Sequence, residues 1–218
     1  MAQFGVLFDN DGVILDTETQ YKIFWNEQGK IFHPELTNFH GYLLGISLTE
    51  ALDTYFSDNQ QDRETIVKRL YEFEDKMIYD YFPGALELLQ SLKEKKIPTA
   101  LVTSSNDIKM NKILKSRPEF KELFTDIITA NRVPKTKPNP ECYEEGARAI
   151  KMDTRRCIVF EDSVAGIKAG KAAGCFVVGL TTTKPKEVIE KVADLVIEDL
   201  SKMSYEYIEQ VILPKLPK

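Results

Sequence analysis

The chain has 218 residues, enough for one large core or for a core domain carrying a smaller insert. Its formal charge of -5 and pI near 5.3 leave no basic footprint for DNA or RNA. No run approaches the roughly 18 apolar residues of a membrane span, and the short apolar start lacks the basic-then-apolar pattern of an export signal. The three cysteines, Cys142, Cys157 and Cys175, are odd in number and have no metal-ligand spacing. Together these features predict a cytoplasmic soluble protein in a reducing compartment, with a monomer as the default and neither nucleic acid nor membrane as partner.

The first element, Phe4-Gly5-Val6-Leu7-Phe8, is a buried-strand pattern that ends in Asp9-Asn10-Asp11-Gly12. Alternate residues of an extended chain point the same way, so Asp9 and Asp11 can face one site. Two close carboxylates need a cation or a shared proton between them, and a hard divalent ion such as Mg²⁺ meets that need. An Asx turn leaving the strand is the other reading of these four residues.

From Thr17 to Gly29 the aromatics Tyr21, Phe24 and Trp25 fall at helical spacing, with Gly29 as a stop. Helical patterns without a strand then continue to about Asp80, through SLTEALDTYF and DRETIVKRLYEFEDKMIYDYF. After the turn signal Phe82-Pro83-Gly84, apolar strands alternate with helices to the end: IPTALVT, TDIITA, RCIVFED, CFVVGL and DLVIE are the strands. Continuous apolar strands each followed by a helix predict a doubly wound, Rossmann-like parallel α/β sheet covered on both faces. The expected core is 1–15 with 82–218, interrupted by an all-helical insert at 16–81.

In such sheets ligands bind beyond the carboxyl ends of the strands. The second strand ends in Thr103-Ser104-Ser105-Asn106, whose hydroxyls and amide can bond phosphate oxygens or cap the next helix. After Ala130, three prolines bracket Lys137 and stiffen the loop that carries it, whereas Arg132 and Lys135 read as solvated. RCIVFED ends in Glu161-Asp162-Ser163, where Asp162 or Ser163 alone would serve as a helix cap. Two acidic strand ends for a cation, one hydroxyl end and one aimed lysine combine into a phosphoryl-transfer site.

FDNDGVILDTE, ALVTSS, TKPNPECY and VFEDSVAGIKAGKAAG, in this order, resemble the four motifs of the haloacid dehalogenase superfamily, in its branch with a small helical cap after the first strand. The resemblance implies that Asp9 is the nucleophile of an aspartyl-phosphate and Asp11 the acid for the leaving group, then the base for water. It implies that Thr103 bonds the phosphoryl group and Lys137 neutralises it. Mg²⁺ would be held by Asp9, the Asp11 carbonyl and Asp162, with Glu161 assisting. These types suit covalent phosphoryl transfer, which needs a carboxylate nucleophile and compensating charge.

Dehalogenases and phosphonatases of this superfamily lack the second aspartate, so Asp11 favours phosphate esters. The nearest-looking relatives are β-phosphoglucomutases and sugar phosphatases. A mutase would carry an arginine where Leu48 stands and a histidine near Tyr21. The expected activity is therefore a Mg-dependent phosphatase of small phosphorylated metabolites, sugar phosphates foremost. Ser104, Ser105 and Asn106 are expected at the substrate, and Gly45, Ile46 and Ser47 on a cap loop that selects it. The alternatives are a β-phosphoglucomutase-type isomerase and a non-catalytic phosphate-binding protein.

Overall fold

The structure, a computed structural model, describes residues 3–43, 48–57 and 59–217. It falls into two compact units, Met1–Asp16 with Tyr79–Lys218, and Thr17–Ile78.

The first unit is built on six parallel strands: β1 Gly5–Phe8, β2 Thr99–Val102, β3 Asp126–Ile128, β4 Cys157–Glu161, β5 Phe176–Leu180 and β6 Leu195–Ile197. Their order is β3-β2-β1-β4-β5-β6, the arrangement expected of a doubly wound sheet. The chain winds outward from β1 to one edge and then returns to start the other half at β4. The order therefore reverses between β1 and β4, the place in such a sheet where ligands bind beyond the strand ends. Phe8 pairs with both Leu101 and Phe160, so the residues after it lie level with the ends of β2 and β4.

β1, β2 and β4 are buried at every position, and β5 at all but Phe176, because helices cover both faces, whereas the edge strands β3 and β6 are only partly buried. Leu7, Val102 and Val159 share one core cluster with Tyr143 and Ala147 of Glu141–Ala149 and with Ile167 and Ala169 of Val164–Ala172. On the alternate side Phe8 stacks on Phe160, with ring centroids 5.1 Å apart, and meets Phe124 edge-on. Two further helices of this unit span Ala85–Glu94 and Asp107–Ser116. Where the chain leaves and re-enters the unit, its two segments pair: Asp16 N donates to Asp80 O and Phe82 N to Ile14 O, both at 2.9 Å.

The second unit holds α1 Glu18–Phe32, α2 Phe39–Leu43, α3 Leu48–Tyr55 and α4 Gln60–Glu74. Its core is aromatic: Phe24, Trp25, Phe39 and Phe56 surround Leu52, Ile66 and Leu70. Two expectations fail here. Helix α1 runs through Gly29 because that glycine, buried inside the helix, lets Phe39 pack against the backbone. Helix α4 ends at Glu74 instead of continuing toward Tyr81, and beyond it Met77 and Tyr79 are buried while Ile78 and Asp80 are exposed. That alternation is the period of extended chain. The histidines serve this unit: His33 stacks on Phe39, and His40 lies 3.3 Å from Glu18.

Candidate active site

Asp9 directly follows β1, and its backbone continues the ladder by donating to Phe160 O at 3.0 Å. Glu161 is the last residue of β4 and faces the same side as Cys157 and Val159. That side is covered by Glu141–Ala149 and Val164–Ala172, so Glu161 meets one group from each helix. Tyr143 donates its hydroxyl to Oε1 at 3.0 Å, and a Cβ at Gly166 would collide with the carboxylate. Gly166 is therefore the vacancy in its helix that admits the Glu161 side chain.

Lys137 joins the two strands. Its Nζ donates to Asp9 Oδ1 at 2.6 Å, Glu161 Oε1 at 2.7 Å and Val102 O at 3.1 Å, which uses all three ammonium protons. Its side chain is 7% exposed, as a loop stiffened by Pro134, Pro138 and Pro140 permits. Arg132, by contrast, pairs with Asp126 and Glu145 on the surface.

Glu161 Oε2 accepts from both the backbone N and the hydroxyl of Ser163, each at 2.9 Å. Ser163 also caps the following helix by accepting from Gly166 N, which leaves Asp162 free of capping. Asp9, Glu161 and Asp162 each offer a carboxylate oxygen within 4.8 Å of the others. Burial, opposed by Lys137 and assisted by Glu161, pushes the Asp9 carboxyl up to about 7. Burial, then Glu161 and Asp9, raise Asp162 well above the usual carboxylate range. Burial alone would pull the Lys137 ammonium down, but Asp9 and Glu161 more than offset it. Three buried carboxylates around one ammonium form an under-compensated set of hard oxygen donors, and these residues fit a divalent cation.

Asp11 points elsewhere. Its Oδ1 accepts from Lys109 Nζ at 2.7 Å and its Oδ2 from Ser105 Oγ at 3.0 Å, so its carboxylate is outside the acidic triad. Thr103 is 4% exposed at the end of β2, and its Oγ1 accepts from Ser105 N at 3.0 Å. Asn106 accepts from Lys109 N at 2.9 Å and so caps Asp107–Ser116, the capping alternative for that segment. Ser104 lies exposed beside it. Gly45, Ile46 and Ser47 lie outside the described residues.

Three contributors went unseen in the sequence. Thr183, beyond β5, donates to Asp162 Oδ2 at 2.5 Å, and Thr182 donates to Gly12 O at 2.6 Å. Gly12 has φ +81° and no room for a Cβ beside Asp162, which makes it obligatory in this turn. Lys109 is the third, and the strand-end pattern pointed to none of them.

The family profile of haloacid dehalogenase-like hydrolases matches residues 6–180. The chain belongs to this family. It is 29% identical to validoxylamine A 7'-phosphate phosphatase of Streptomyces hygroscopicus subsp. limoneus, over 93% of this chain and 96% of that one. It is 32% identical to glycerol-1-phosphate phosphohydrolase 1 of Saccharomyces cerevisiae, over 88% and 81%. The crystal structure of β-phosphoglucomutase from Clostridium difficile superposes with a TM-score of 0.74 at 27% identity, covering 96% of each chain. The expected family and doubly wound fold are thus both found. Among the described residues no helix is long and apolar enough to cross a membrane.

Proposed function

We propose that this chain is a Mg²⁺-dependent phosphatase of small phosphorylated metabolites, sugar and polyol phosphates foremost, acting through an aspartyl-phosphate on Asp9. The observation that carries the reading is Lys137, held between Asp9 and Glu161 at the strand ends where the sheet order reverses. The named phosphatases among the relatives support the substrate class.

In the first step an Asp9 carboxylate oxygen forms a bond to phosphorus while the bond from phosphorus to the ester oxygen breaks. Asp11 gives its proton to that departing oxygen. In the second, water attacks the phosphoryl group, its proton passes to Asp11, and the bond from phosphorus to Asp9 breaks, releasing phosphate and restoring both side chains. Lys137 holds Asp9 in place and faces the phosphoryl charge, while Thr103 and the adjacent backbone supply donors. When bound, Mg²⁺ held by Asp9, Asp162 and the Asp11 carbonyl, with Glu161 in the same acidic set, offsets charge on the phosphoryl oxygens. We assign substrate selection to the helical unit, including Gly45, Ile46 and Ser47, and a cytoplasmic setting in keeping with three buried free thiols.

Free phosphate released from a panel of sugar, polyol and glycolate phosphates, with Mg²⁺ and with EDTA, tests the reading. Metal-dependent release that vanishes in Asp9→Asn is expected. Binding of these esters without release would favour a non-catalytic binding protein. The likeness to β-phosphoglucomutase favours a second reading, an isomerase. Conversion of β-glucose 1-phosphate to glucose 6-phosphate in the presence of the bisphosphate, in place of free phosphate, would establish it.

A further inference from the structure

The helix Asp107–Ser116 carries a lysine where a helix least favours one. Asp107 is its first residue, so Lys109 stands in the first turn, beside the positive end of the macrodipole. An acidic residue is the favoured choice there, and a local rule broken without local gain marks a site with another purpose. The surroundings hold this first turn firmly. Asn106 caps it through Lys109 N, Asn131 Oδ1 accepts from Asp107 N at 3.0 Å, and Thr129 Oγ1 donates to Asp107 Oδ1 at 2.6 Å. Thr129 and Asn131 both follow β3, so Asp107, two residues before Lys109, is tied to that strand end through both its backbone and its side chain. The Lys109 side chain, 12% exposed, then reaches Asp11.

The consequence lies in the geometry of Asp11. A carboxylate on a strand-end turn has two side-chain torsions to fix, and two donors from one segment fix them: Lys109 on Oδ1 and Ser105 on Oδ2. Both donors belong to the β2 end and the helix after it. The β1–β2 register, Phe8 on Leu101, sets the distance of that segment from Asp9. We infer that Lys109 is a positioning residue that aims the Asp11 carboxyl group relative to Asp9, so that its proton reaches the leaving oxygen of the ester. The inference rests on the phosphatase reading, with Asp11 as the proton donor.

A misaimed acid harms only those substrates that need its proton. An alkoxide, as from glycerol phosphate, must be protonated as it leaves, whereas p-nitrophenolate leaves well without help. Steady-state kcat and KM are therefore compared on these two esters for the wild type, Lys109→Met, Lys109→Arg and Asp11→Asn, in saturating Mg²⁺. The expected result is that Lys109→Met lowers kcat on glycerol phosphate by about tenfold or more, with kcat on p-nitrophenyl phosphate and both KM values nearly unchanged. Lys109→Arg keeps a cation at Asp11 and restores most of the lost rate. Asp11→Asn shows the same substrate bias more strongly. Equal losses on both esters, a change confined to KM, or no loss at all would overturn the role of Lys109. If the wild type released no phosphate from either ester, the phosphatase reading itself would fall. If Asp11→Asn lost both esters equally, the assignment of Asp11 as acid would fall, and that of Lys109 with it.

Discussion

The two units treat buried polarity in opposite ways. In the helical unit the buried polar groups serve packing: Gln28 accepts from Arg69 at 2.9 Å, Glu74 from Tyr21 at 2.9 Å, and His40 faces Glu18 around an aromatic core. In the α/β unit Asp9, Glu161 and Asp162 are buried together at the ends of β1 and β4, with Lys137 against two of them. An under-compensated cluster of that kind is costly to fold. Its place at the reversal of strand order is where such a cost goes with function.

The sharpest way to break this contrast is Lys137→Ala. Removing the one ammonium leaves Asp9 and Glu161 facing each other in a buried site. Unfolding titrations should show a loss of about 3–5 kcal/mol, and phosphate release should drop by at least about 10²-fold. Retention of activity would mean that the acidic cluster needs no fixed cation. In the helical unit Trp25→Ala, which empties space beside Phe24 and Phe39, should cost about 3–5 kcal/mol by the same titrations. A loss as small as that of a surface change would contradict the packing account.

Thr183→Val should leave the fold intact and raise the Mg²⁺ concentration for half-maximal thermal stabilisation by about 10–100-fold, because Asp162 loses the hydroxyl that orients it. Thr183→Ser should behave as the wild type. The smallest effect concerns the thiols. Burial pushes Cys142 up to about 11 and Cys157 up to about 12, and raises Cys175 in the same direction. A raised acid stays protonated in the folded chain where the unfolded chain has already lost its proton, so stability is complete below about pH 9 and falls as pH rises through these values. The thermal midpoint should therefore decline between pH 9 and 11, and a thiol reagent at pH 8 should label none of the three until denaturant is added.

The inner strands were legible because both faces of the sheet are covered there, which favours apolar runs such as Cys157-Ile158-Val159-Phe160. The acidic cluster was legible where a motif residue follows a strand directly, as with Asp9 and Asp162, and Lys137 through its proline-stiffened loop, and the structure brings these side chains together. The site was not legible where one side chain reaches across to another element. Nothing local marks Thr183 as the partner of Asp162, and Lys109 is marked only by its unfavourable place in a first turn. Gly29 misled for a related reason: a glycine chosen for a close approach by Phe39 has the same letter as one that stops a helix.

The most direct test of the central claim is a rapid quench of the protein with ³²P-labelled substrate in Mg²⁺, followed by peptide mapping of the acid-precipitated chain. Label on the peptide that contains Asp9, absent in Asp9→Asn and chased by unlabelled substrate, is the expected result. Turnover with no label on that peptide, or turnover that survives Asp9→Asn, would contradict covalent phosphoryl transfer through Asp9.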